Sequence, residues 1–377
     1  MPTALAAAGA ALWMGRWWLE WHHHQVRLAQ IPLRIHVNGT RGKSTVTRLI
    51  AAGLRYAGRI TVAKTTGSAA RFIYPDGSEI PWPRRGNPNI REQLAVVQRA
   101  HTLRAQALVL ECMALKPEIQ WVAERIFPAQ ITVITNLRPD HTDVFPKLED
   151  YARALSLTIP TNGFVITTPG PHVNLFRAEA KKKASQLQVI KPTDIATWGE
   201  LATIHHQENL DLASAALRLA GVPAETARAG MAQAHPDPGA FTIYYNPKAA
   251  GGSYLANAFA ANDPVSTQEL LQRLFPPPAH LKPIILYNHR PDRLQRARDF
   301  QPLLTHLAAE GISIYSLGAR RPPLTGIKHL GMAKPEVLLH KLGSGPFLLM
   351  GIGNIEGAGY ELCQYFARGG TKIWKPP

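Results

Sequence analysis

The sequence predicts an α/β protein in which mostly parallel sheets are flanked by helices, and three observations lead to this prediction. Short, continuous apolar runs recur along the 377-residue chain from Leu33 onward. Segments with helical periodicity separate these runs, and a glycine-rich loop follows the first run. Continuous apolar runs are typical of strands buried on both faces, and the intervening helices are typical of crossover connections between parallel strands.

The predicted strands are short and rich in Ile, Val and Leu. They are Leu33 to Val37, Ile60 to Ala63, Ala107 to Glu111, Ile131 to Thr135, Phe164 to Thr168, Ile284 to Tyr287, Ile312 to Leu317 and Phe347 to Met350. Among the segments between them, Lys43 to Arg55 and Leu210 to Leu219 have the apolar spacing of helices. The order of these elements favours crossover units over an all-β fold.

Turn-forming residues divide the chain. Two prolines and a glycine occur in "AHPDPGA", residues 234–240, and "NPKAAGG" follows at residues 246–252. We therefore predict an N-terminal segment at 1–30, a nucleotide-binding domain at 31–238 and a smaller α/β, Rossmann-like domain at 239–377.

The overall composition excludes several classes of protein. Only Cys112 and Cys363 are present, so a disulfide framework is excluded and a structural zinc site is not expected. The net charge of +16 indicates an anionic partner. Because no aromatic residues alternate with the basic ones, we expect no nucleic-acid partner.

The N-terminal segment allows two interpretations. Its uncharged run ends at Arg16, which is shorter than the roughly 20 apolar residues that a spanning helix requires. Trp13, Trp17 and Trp21 recur at every fourth position and share one helical face, as in a membrane-interface belt. The alternative is a helix that packs on the protein's own surface.

The loop Gly39-Thr40-Arg41-Gly42-Lys43-Ser44-Thr45 is predicted to bind the phosphates of a nucleotide. A strand precedes it and a helix follows, so backbone N–H groups and the helix N-terminus can meet a phosphate. Lys43 would reach the outer phosphates, and the hydroxyl of Ser44 or Thr45 would bind Mg²⁺. The two glycines lie closer together than in the usual P-loop pattern.

Polar residues follow two further predicted strands. Glu111 ends one strand, and Asn136, Asp140 and His141 follow another. Because ligands of open α/β sheets bind at the carboxyl ends of strands, these side chains could hold a second divalent ion.

These motifs resemble those of the Mur ligase superfamily of ATP-dependent amide ligases. A narrower resemblance, to the ligase subunits of bacterial poly-γ-glutamate synthases, covers most of the chain from about Arg34 to Gly359. Its motifs include "VNGTRGKSTVTRLI", "GNPNIREQ", "NAFAANDP", "NHRPDR" and "GIGNIEGAG".

The resemblance implies a reaction and a site. ATP would phosphorylate a γ-carboxyl group, an amine would attack the acyl phosphate, and ADP and phosphate would leave. Lys43, Glu111 and His141 would be the catalytic residues. Two Mg²⁺ ions are expected, one on Ser44 or Thr45 and one on Glu111 and His141. Asn209 would contact adenine, and Arg290 is also assigned to ATP.

The resemblance further implies glutamate and a growing poly-γ-glutamate chain as substrates. Arg71, Arg84, Arg85 and Arg293 are candidates for binding these carboxylates, as is Arg290. Small membrane subunits, an oligomer and a place on the cytoplasmic face of the membrane are also expected. One departure is that Ser156 stands where many Mur ligases carry a carbamylated lysine.

Two rival functions stay open from the sequence alone. One is a ligase of the same type that acts on another acid, such as a folate. The other is a nucleotide-dependent assembly factor of a membrane export complex that performs no ligation. The "GIGNIEG" segment is not interpreted as a dinucleotide site, because its glycine spacing is wrong and the chain ends too soon after it.

Overall fold

The fold was analysed in a computed structural model, which describes residues 2–67, 70–84, 88–138, 144–236, 241–261, 263–291 and 294–373. The side chains of residues 2–8, 10, 203, 204 and 273 are also outside the description. The chain forms two compact units, Met1–His235 and Pro236–Pro377. The sequence places a boundary three residues later, after position 238.

The first unit contains an eight-stranded sheet in the order β4-β3-β2-β5-β1-β6-β7-β8. Its strands are β1 (Leu33–Asn38), β2 (Thr61–Thr65), β3 (Arg71–Ile73), β4 (Glu79–Pro81), β5 (Ala107–Glu111), β6 (Ile131–Ile134), β7 (Phe164–Thr167) and β8 (Gln186–Val189). All pairings are parallel except those of the β2-β3-β4 meander.

Helices cover both faces of this sheet. They are α1 (Pro2–Ala29), α2 (Lys43–Tyr56), α3 (Glu92–Thr102), α4 (Pro117–Ile126), α5 (Leu148–Ser156), α6 (Val173–Lys182), α7 (Leu201–Ile204), α8 (Gln207–Leu219) and α9 (Ala224–Ala232). A 3₁₀ turn spans Ile195–Thr197.

The alternation of side chains along β5 shows why the apolar runs are continuous. Ala107 and Val109 pack into one cluster with α2, α8 and α9, whereas Leu108 and Leu110 pack into another with α1 and α3. Since neighbouring residues of a strand point to opposite faces, a sheet covered on both faces requires an apolar residue at every position. The predicted parallel sheet is therefore confirmed.

The second unit contains a seven-stranded sheet in the order β13-β12-β11-β14-β10-β9-β15. Its strands are β9 (Thr242–Asn246), β10 (Ser253–Asn257), β11 (Lys282–Asn288), β12 (Ser313–Leu317), β13 (Lys328–Gly331), β14 (Phe347–Ile352) and β15 (Thr371–Ile373). Its helices are α10 (Pro264–Leu274), α11 (Leu294–Ala309), α12 (Pro335–Leu342) and α13 (Ala358–Gly369). The central strands are parallel, and β9 pairs antiparallel with both neighbours.

Several short strands are absent from the sequence prediction. The β3-β4 hairpin, β8, β9, β10, β13 and β15 lie toward the edges of the sheets or contain polar residues. The hairpin is held in place by an ion pair between Arg48 on α2 and Glu79, at 2.7 Å. Such strands carry no continuous apolar run, so hydrophobic periodicity does not reveal them.

The first helix is only partly attached to the first unit. Near its end, His24 Nε2 lies 2.7 Å from the carbonyl oxygen of Ile126, and Leu28 is buried. Trp13, Trp17 and Trp18 are exposed to between 59% and 73%. Of the helices in the described part of the chain, none is both long and apolar enough to cross a bilayer.

Candidate functional site

The glycine loop lies at the carboxyl end of β1, where the chain connections of the sheet diverge. β1 pairs with β5 on one side and with β6 on the other. The next four strands in sequence, β2 to β5, all lie on one side of β1, and β6 to β8 lie on the other. This is a topological switch point, the position at which open α/β sheets bind their ligands.

Both positions require glycine, because the backbone has positive φ there and neighbouring atoms leave no room for a Cβ. Gly39 has φ 119° and Gly42 has φ 81°, values that residues with a Cβ rarely adopt. A Cβ at Gly39 would overlap the hydroxyl and backbone nitrogen of Thr135, and one at Gly42 would overlap the side-chain oxygen of Asn209. The three-residue glycine spacing therefore matches this packing.

Hydrogen bonds to residues that follow β6 hold the loop. Asn136 accepts from Thr40 N at its carbonyl and from Arg41 N at its side-chain oxygen, each at 3.0 Å. The Thr135 hydroxyl donates to the carbonyl of Arg41 at 2.6 Å. Because the chain's own groups hold the loop, its conformational freedom is reduced, which lowers the entropy cost of binding a ligand.

Lys43 lies against the loop that it follows. Its Nζ donates to the carbonyl oxygens of Gly39 at 2.7 Å and Thr40 at 3.1 Å. Lys43 also begins α2, whose N-terminus has no side-chain cap because Gly42 occupies that position. A positive side chain and an uncapped helix N-terminus together form a site suited to phosphate.

Glu111 connects the loop to the neighbouring strands. Its Oε2 accepts from the Ser44 hydroxyl at 2.8 Å and from the backbone N–H of Thr66 at 2.7 Å. Glu111 is buried at the end of β5, and Ser44 is the second residue of α2. The structure therefore brings Ser44 beside Glu111, whereas Thr45 occupies the next position of the helix.

The Ser44 hydroxyl and the Glu111 carboxylate fit a magnesium ion. Both are oxygen donors, which Mg²⁺ prefers, and Mg²⁺ is usually bound by one or two carboxylates together with phosphates. Within the described residues there is no cluster of three or more His, Cys, Asp or Glu side chains that could hold a metal by itself. His141 and Asp140 lie outside the described residues.

Asn209 lies next to the loop in the first turn of α8. Its side chain is the neighbour that excludes a Cβ at Gly42. The preceding residue, Glu208, accepts from Asn136 Nδ2 at 3.3 Å and lies 3.9 Å from the guanidinium of Arg138. The Asn209 side chain therefore lies directly against the glycine loop.

Three of the predicted substrate arginines lie among the described residues, two in the first unit and one in the second. Arg84 donates to Glu92 from Nε at 2.9 Å and from Nη2 at 3.3 Å. Arg71 begins β3, whereas Arg290 belongs to the second unit and lies 3.7 Å from Glu356. Arg85 and Arg293 lie outside the described residues.

A buried lysine that the sequence analysis missed shares Glu92 with Arg84. Lys64, on β2, donates to Glu92 Oε2 at 2.6 Å and lies 5.3 Å from the centre of the Trp82 ring. Burial lowers the pKa of Lys64, and the bond to Glu92 opposes that shift. Its only signal in the sequence is a charged residue inside an apolar strand, "TVAKT".

In the second unit, the carboxyl ends of the central strands carry buried amides. Asn288 ends β11, and its Nδ2 donates to the carbonyl oxygens of Asn354 at 2.6 Å and Glu356 at 2.8 Å. Asn257 ends β10 and is buried beside this turn-rich edge. These residues belong to the "NAFAANDP", "NHRPDR" and "GIGNIEGAG" segments.

Two family matches cover the two units. Residues 37–218 match the Mur ligase middle domain. Residues 243–369 match the C-terminal domain of the poly-gamma-glutamate synthase CapB.

Curated relatives match over most of their length. The chain is 35% identical over 360 residues to the capsule biosynthesis protein CapB of Bacillus anthracis, covering 90% of this chain and 77% of the relative. It is 34% identical over 371 residues to the PGA synthase CapB of Bacillus subtilis (strain 168), covering 92% and 93%.

Solved structures show the same fold at lower identity. The bifunctional folylpolyglutamate synthase/dihydrofolate synthase of Yersinia pestis, in complex with AMPPNP and manganese, has a TM-score of 0.66 at 16% identity over 91% of each chain. FolC of E. coli, in complex with DHPP and ADP, has a TM-score of 0.60 at 16% identity over 92% of each chain. These matches confirm the predicted α/β architecture.

Proposed function

This chain belongs to the CapB family of poly-gamma-glutamate synthases, which are Mur-type ligases, and from that membership we propose how it forms its amide bond. It is an ATP-dependent amide ligase that extends poly-γ-glutamate. The observation that supports the mechanism is the assembly of Lys43, Ser44 and Glu111 at the switch point of the first sheet.

Lys43 neutralises the terminal phosphates of ATP. Its amine lies against the loop carbonyls of Gly39 and Thr40, at the N-terminus of α2, where a helix favours a bound phosphate. Phosphoryl transfer depends mainly on positioning and on neutralising charge, rather than on covalent help from the protein. This favours Lys43 as the main catalytic cation.

Ser44 and Glu111 would hold Mg²⁺ beside the same phosphates. When bound, the ion neutralises the charge that develops on the transferred phosphoryl group. Thr66 N–H and Ser44 orient the Glu111 carboxylate. A second ion, which the family resemblance implies, would require His141 in addition.

The reaction has two steps in which bonds are exchanged. A γ-carboxylate oxygen attacks the γ-phosphorus of ATP, the bond from that phosphorus to the bridging oxygen breaks, and ADP leaves with the electron pair. An amine nitrogen then attacks the acyl carbon, the carbon–oxygen bond to phosphate breaks, and the amine loses a proton to solvent. The products are an amide, ADP and phosphate.

The acidic substrate is matched by the charge of the protein. The net charge of +16 attracts a polymer that carries a carboxylate on each residue. Arg84, which lies with Lys64 against the carboxylate of Glu92, stays a prediction as a substrate ligand. Arg71, Arg85, Arg290 and Arg293 stay predictions as substrate ligands.

We place the enzyme at the cytoplasmic face of the membrane through the exposed side of α1. Trp13 and Trp17 lie one helical turn apart and are both exposed. Tryptophan rings favour the headgroup region of a bilayer, and Arg16 and Arg27 would meet anionic lipid there. Small membrane subunits and an oligomeric synthase complete this proposal.

Trapping the activated carboxyl group tests the ligase mechanism. Purified protein is incubated with ATP, Mg²⁺, hydroxylamine and either D- or L-glutamate or a short γ-linked oligomer. The expected product is a γ-hydroxamate that forms together with phosphate and depends on the acid. The exposed lysine variant Lys181→Ala should behave like the wild type, whereas Lys43→Ala should yield none.

Two outcomes would overturn the proposal. Hydroxamate that forms only with a different acid, such as a pteroate, would assign another substrate to the same chemistry. Nucleotide turnover without any hydroxamate, in protein that supports polymer synthesis in cells, would instead indicate an assembly factor.

Vesicle sedimentation tests the placement at the membrane. The wild type should sediment with vesicles that contain anionic lipid, and the variant with both Trp13→Ala and Trp17→Ala should sediment less. Trp121→Ala is the matched control, because Trp121 is an exposed tryptophan on α4. Equal sedimentation of the double variant and the wild type would contradict the assigned face.

A further inference from the structure

Gln120 is a fully buried amide that lies beneath the glycine loop. It belongs to α4, and its exposed fraction is 0%. Its Oε1 accepts from Asn38 Nδ2 at 2.8 Å, and its Nε2 donates to the carbonyl oxygen of Ala114 at 2.9 Å. Buried amides with several partners have few alternative orientations, so they fix the groups that they contact.

The first partner of Gln120 controls the start of the phosphate loop. Asn38 is the last residue of β1, and its Oδ1 accepts the backbone N–H of Gly39 at 2.8 Å. Its Nδ2 donates both to Gln120 and to the Thr158 hydroxyl, at 3.0 Å. Both N–H groups of the Asn38 amide therefore donate a hydrogen bond, and its oxygen accepts one. These partners fix the orientation of the amide.

The second partner of Gln120 lies in the segment that follows Glu111. Ala114 is three residues after Glu111, and the Cys112 thiol of the same segment donates to Gln120 Oε1 at 3.5 Å. Gln120 thus contacts the segments that carry both halves of the nucleotide site.

We propose that Gln120 is a positioning residue that fixes the distance between the glycine loop and Glu111, and thereby the geometry in which the site binds a nucleotide together with Mg²⁺. This inference rests on the proposed function of the loop. β1 and β5 are adjacent and parallel, but their ladder ends at Val37 and Glu111. Beyond that point, Gln120 is a side chain that bridges the two segments.

The chain offers a matched control in Gln93. This glutamine on α3 is also buried, and neither its Nε2 nor its Oε1 has a hydrogen-bond partner among the described residues. Gln120→Leu and Gln93→Leu therefore make the same chemical change in buried helical positions. Only the first removes contacts to the site.

The experiment measures ADP binding by titration calorimetry, with and without Mg²⁺, alongside thermal unfolding of each variant. Gln120→Leu should weaken binding in the presence of Mg²⁺ by roughly 10-fold, the lower range for loss of an outer partner of a metal site. Its affinity without Mg²⁺ should change less. Gln93→Leu should bind like the wild type under both conditions.

A second variant covers the case in which Gln120→Leu does not fold. Gln120→Glu keeps the acceptor for Asn38, but it has a donor for Ala114 only when the carboxyl group is protonated. Burial raises the pKa of a carboxyl group, so the Mg²⁺-dependent binding of this variant should improve relative to the wild type as the pH is lowered.

The inference would be overturned if folded Gln120→Leu bound ADP in the presence of Mg²⁺ as tightly as the wild type does. It would also be overturned if ADP binding by Gln120→Glu and by the wild type had the same pH dependence. If the wild type itself binds no nucleotide, the proposed function fails instead. The two failures are therefore distinguishable.

Discussion

The carboxyl edges of the two parallel sheets have the same architecture but different chemistry. At the edge of the first sheet, Lys43 donates to carbonyl oxygens of the glycine loop, and the Ser44 hydroxyl donates to the Glu111 carboxylate. At the edge of the second sheet, Asn288 and Asn257 end the central strands, and Asn288 binds backbone carbonyl oxygens. The first edge thus presents a cation and a carboxylate beside a glycine loop, whereas buried amides shape the turns of the second edge, where Arg290 lies 3.7 Å from Glu356.

This difference shows how two similar sheets can serve different parts of one reaction. A triphosphate requires positive charge and metal ligands, which the first edge provides. The amides of the second edge fix the turns of the "NHRPDR" and "GIGNIEGAG" segments, and precise turns position other groups. Substitutions at the first edge should therefore abolish nucleotide chemistry, and those at the second should reduce ligation alone.

The largest effect is expected at Lys43. Lys43→Ala should lower ATP-dependent phosphate release by roughly 100- to 1,000-fold, the range seen when one preorganised charge-stabilising group is removed. The effect on the stability of the protein should be smaller, because Lys43 is only partly buried. A coupled phosphate assay with saturating ATP measures the rate, and loss of less than 10-fold would remove Lys43 from the mechanism.

The next largest effect is expected at Glu111. Glu111→Gln keeps the shape of the side chain and an acceptor for Thr66 N–H, but it loses the negative charge. The Mg²⁺ concentration for half-maximal activity should rise by at least roughly 10-fold. That is the lower range for loss of a residue that only orients a metal ligand, and Glu111 would be a ligand itself. Magnesium titrations of the activity, compared with those of Glu118→Gln on exposed helix surface, provide the measurement. An unchanged requirement for Mg²⁺ would place the metal elsewhere.

A pH effect on stability should distinguish the cores of the two sheets. Burial lowers the pKa of His36, on β1, from 6.5 to about 4, and its Nε2 has no partner among the described residues. Since the unfolded chain binds this proton first, stability is lost as the pH falls from about 6.5 toward 4. At pH 5 the loss is on the order of 2 kcal/mol relative to pH 7. Burial instead raises the pKa of Tyr287, on β11, so this residue stays neutral at both values.

Urea unfolding at pH 7 and pH 5 tests this prediction. In His36→Leu, the decrease in the free energy of unfolding between pH 7 and pH 5 should be smaller than in the wild type. In His340→Gln, which changes an exposed histidine, the decrease should equal that of the wild type. Parallel losses in the wild type and His36→Leu would show that His36 is not the origin of the acid sensitivity.

The smallest effect is expected at the second edge. Asn288→Leu should lower the rate of amide formation by about 10-fold while ADP affinity stays at the wild-type value. The free energy of unfolding should fall by roughly 1–3 kcal/mol, since the carbonyl groups of Asn354 and Glu356 lose their donor. Gln295→Ala, on the exposed surface of α11, is the control. A matching loss of ADP affinity in Asn288→Leu would remove the distinction between the two edges.

The sequence identified the strands of both sheets where apolar runs were continuous. The predicted strand at Ala107 to Glu111 coincides with β5, and the one at Leu33 to Val37 is one residue shorter than β1. The glycine loop, Lys43 and Glu111 were found because their motifs lie directly after such strands. The edge strands could not be found in this way, because polar residues interrupt their pattern.

Sequence position alone does not decide which of the adjacent hydroxyls, that of Ser44 or that of Thr45, lies beside Glu111. Both hydroxyls are equally near Lys43 in sequence, but the rotation of α2 brings Ser44 to within 2.8 Å of Glu111. Arg84 illustrates the same limit, because its ion pair with Glu92 depends on how the segment after β4 packs against α3.

By itself, the sequence determined the α/β class, the position of the phosphate loop and the ligase family, because each is written in local patterns of apolar residues, glycines and motifs. Only the tertiary structure decided that Gln120 joins the glycine loop to the segment after Glu111, and that Lys64 and Arg84 share Glu92. These contacts link residues far apart in the chain, and their energies depend on burial and on distances that the folded sheet alone creates.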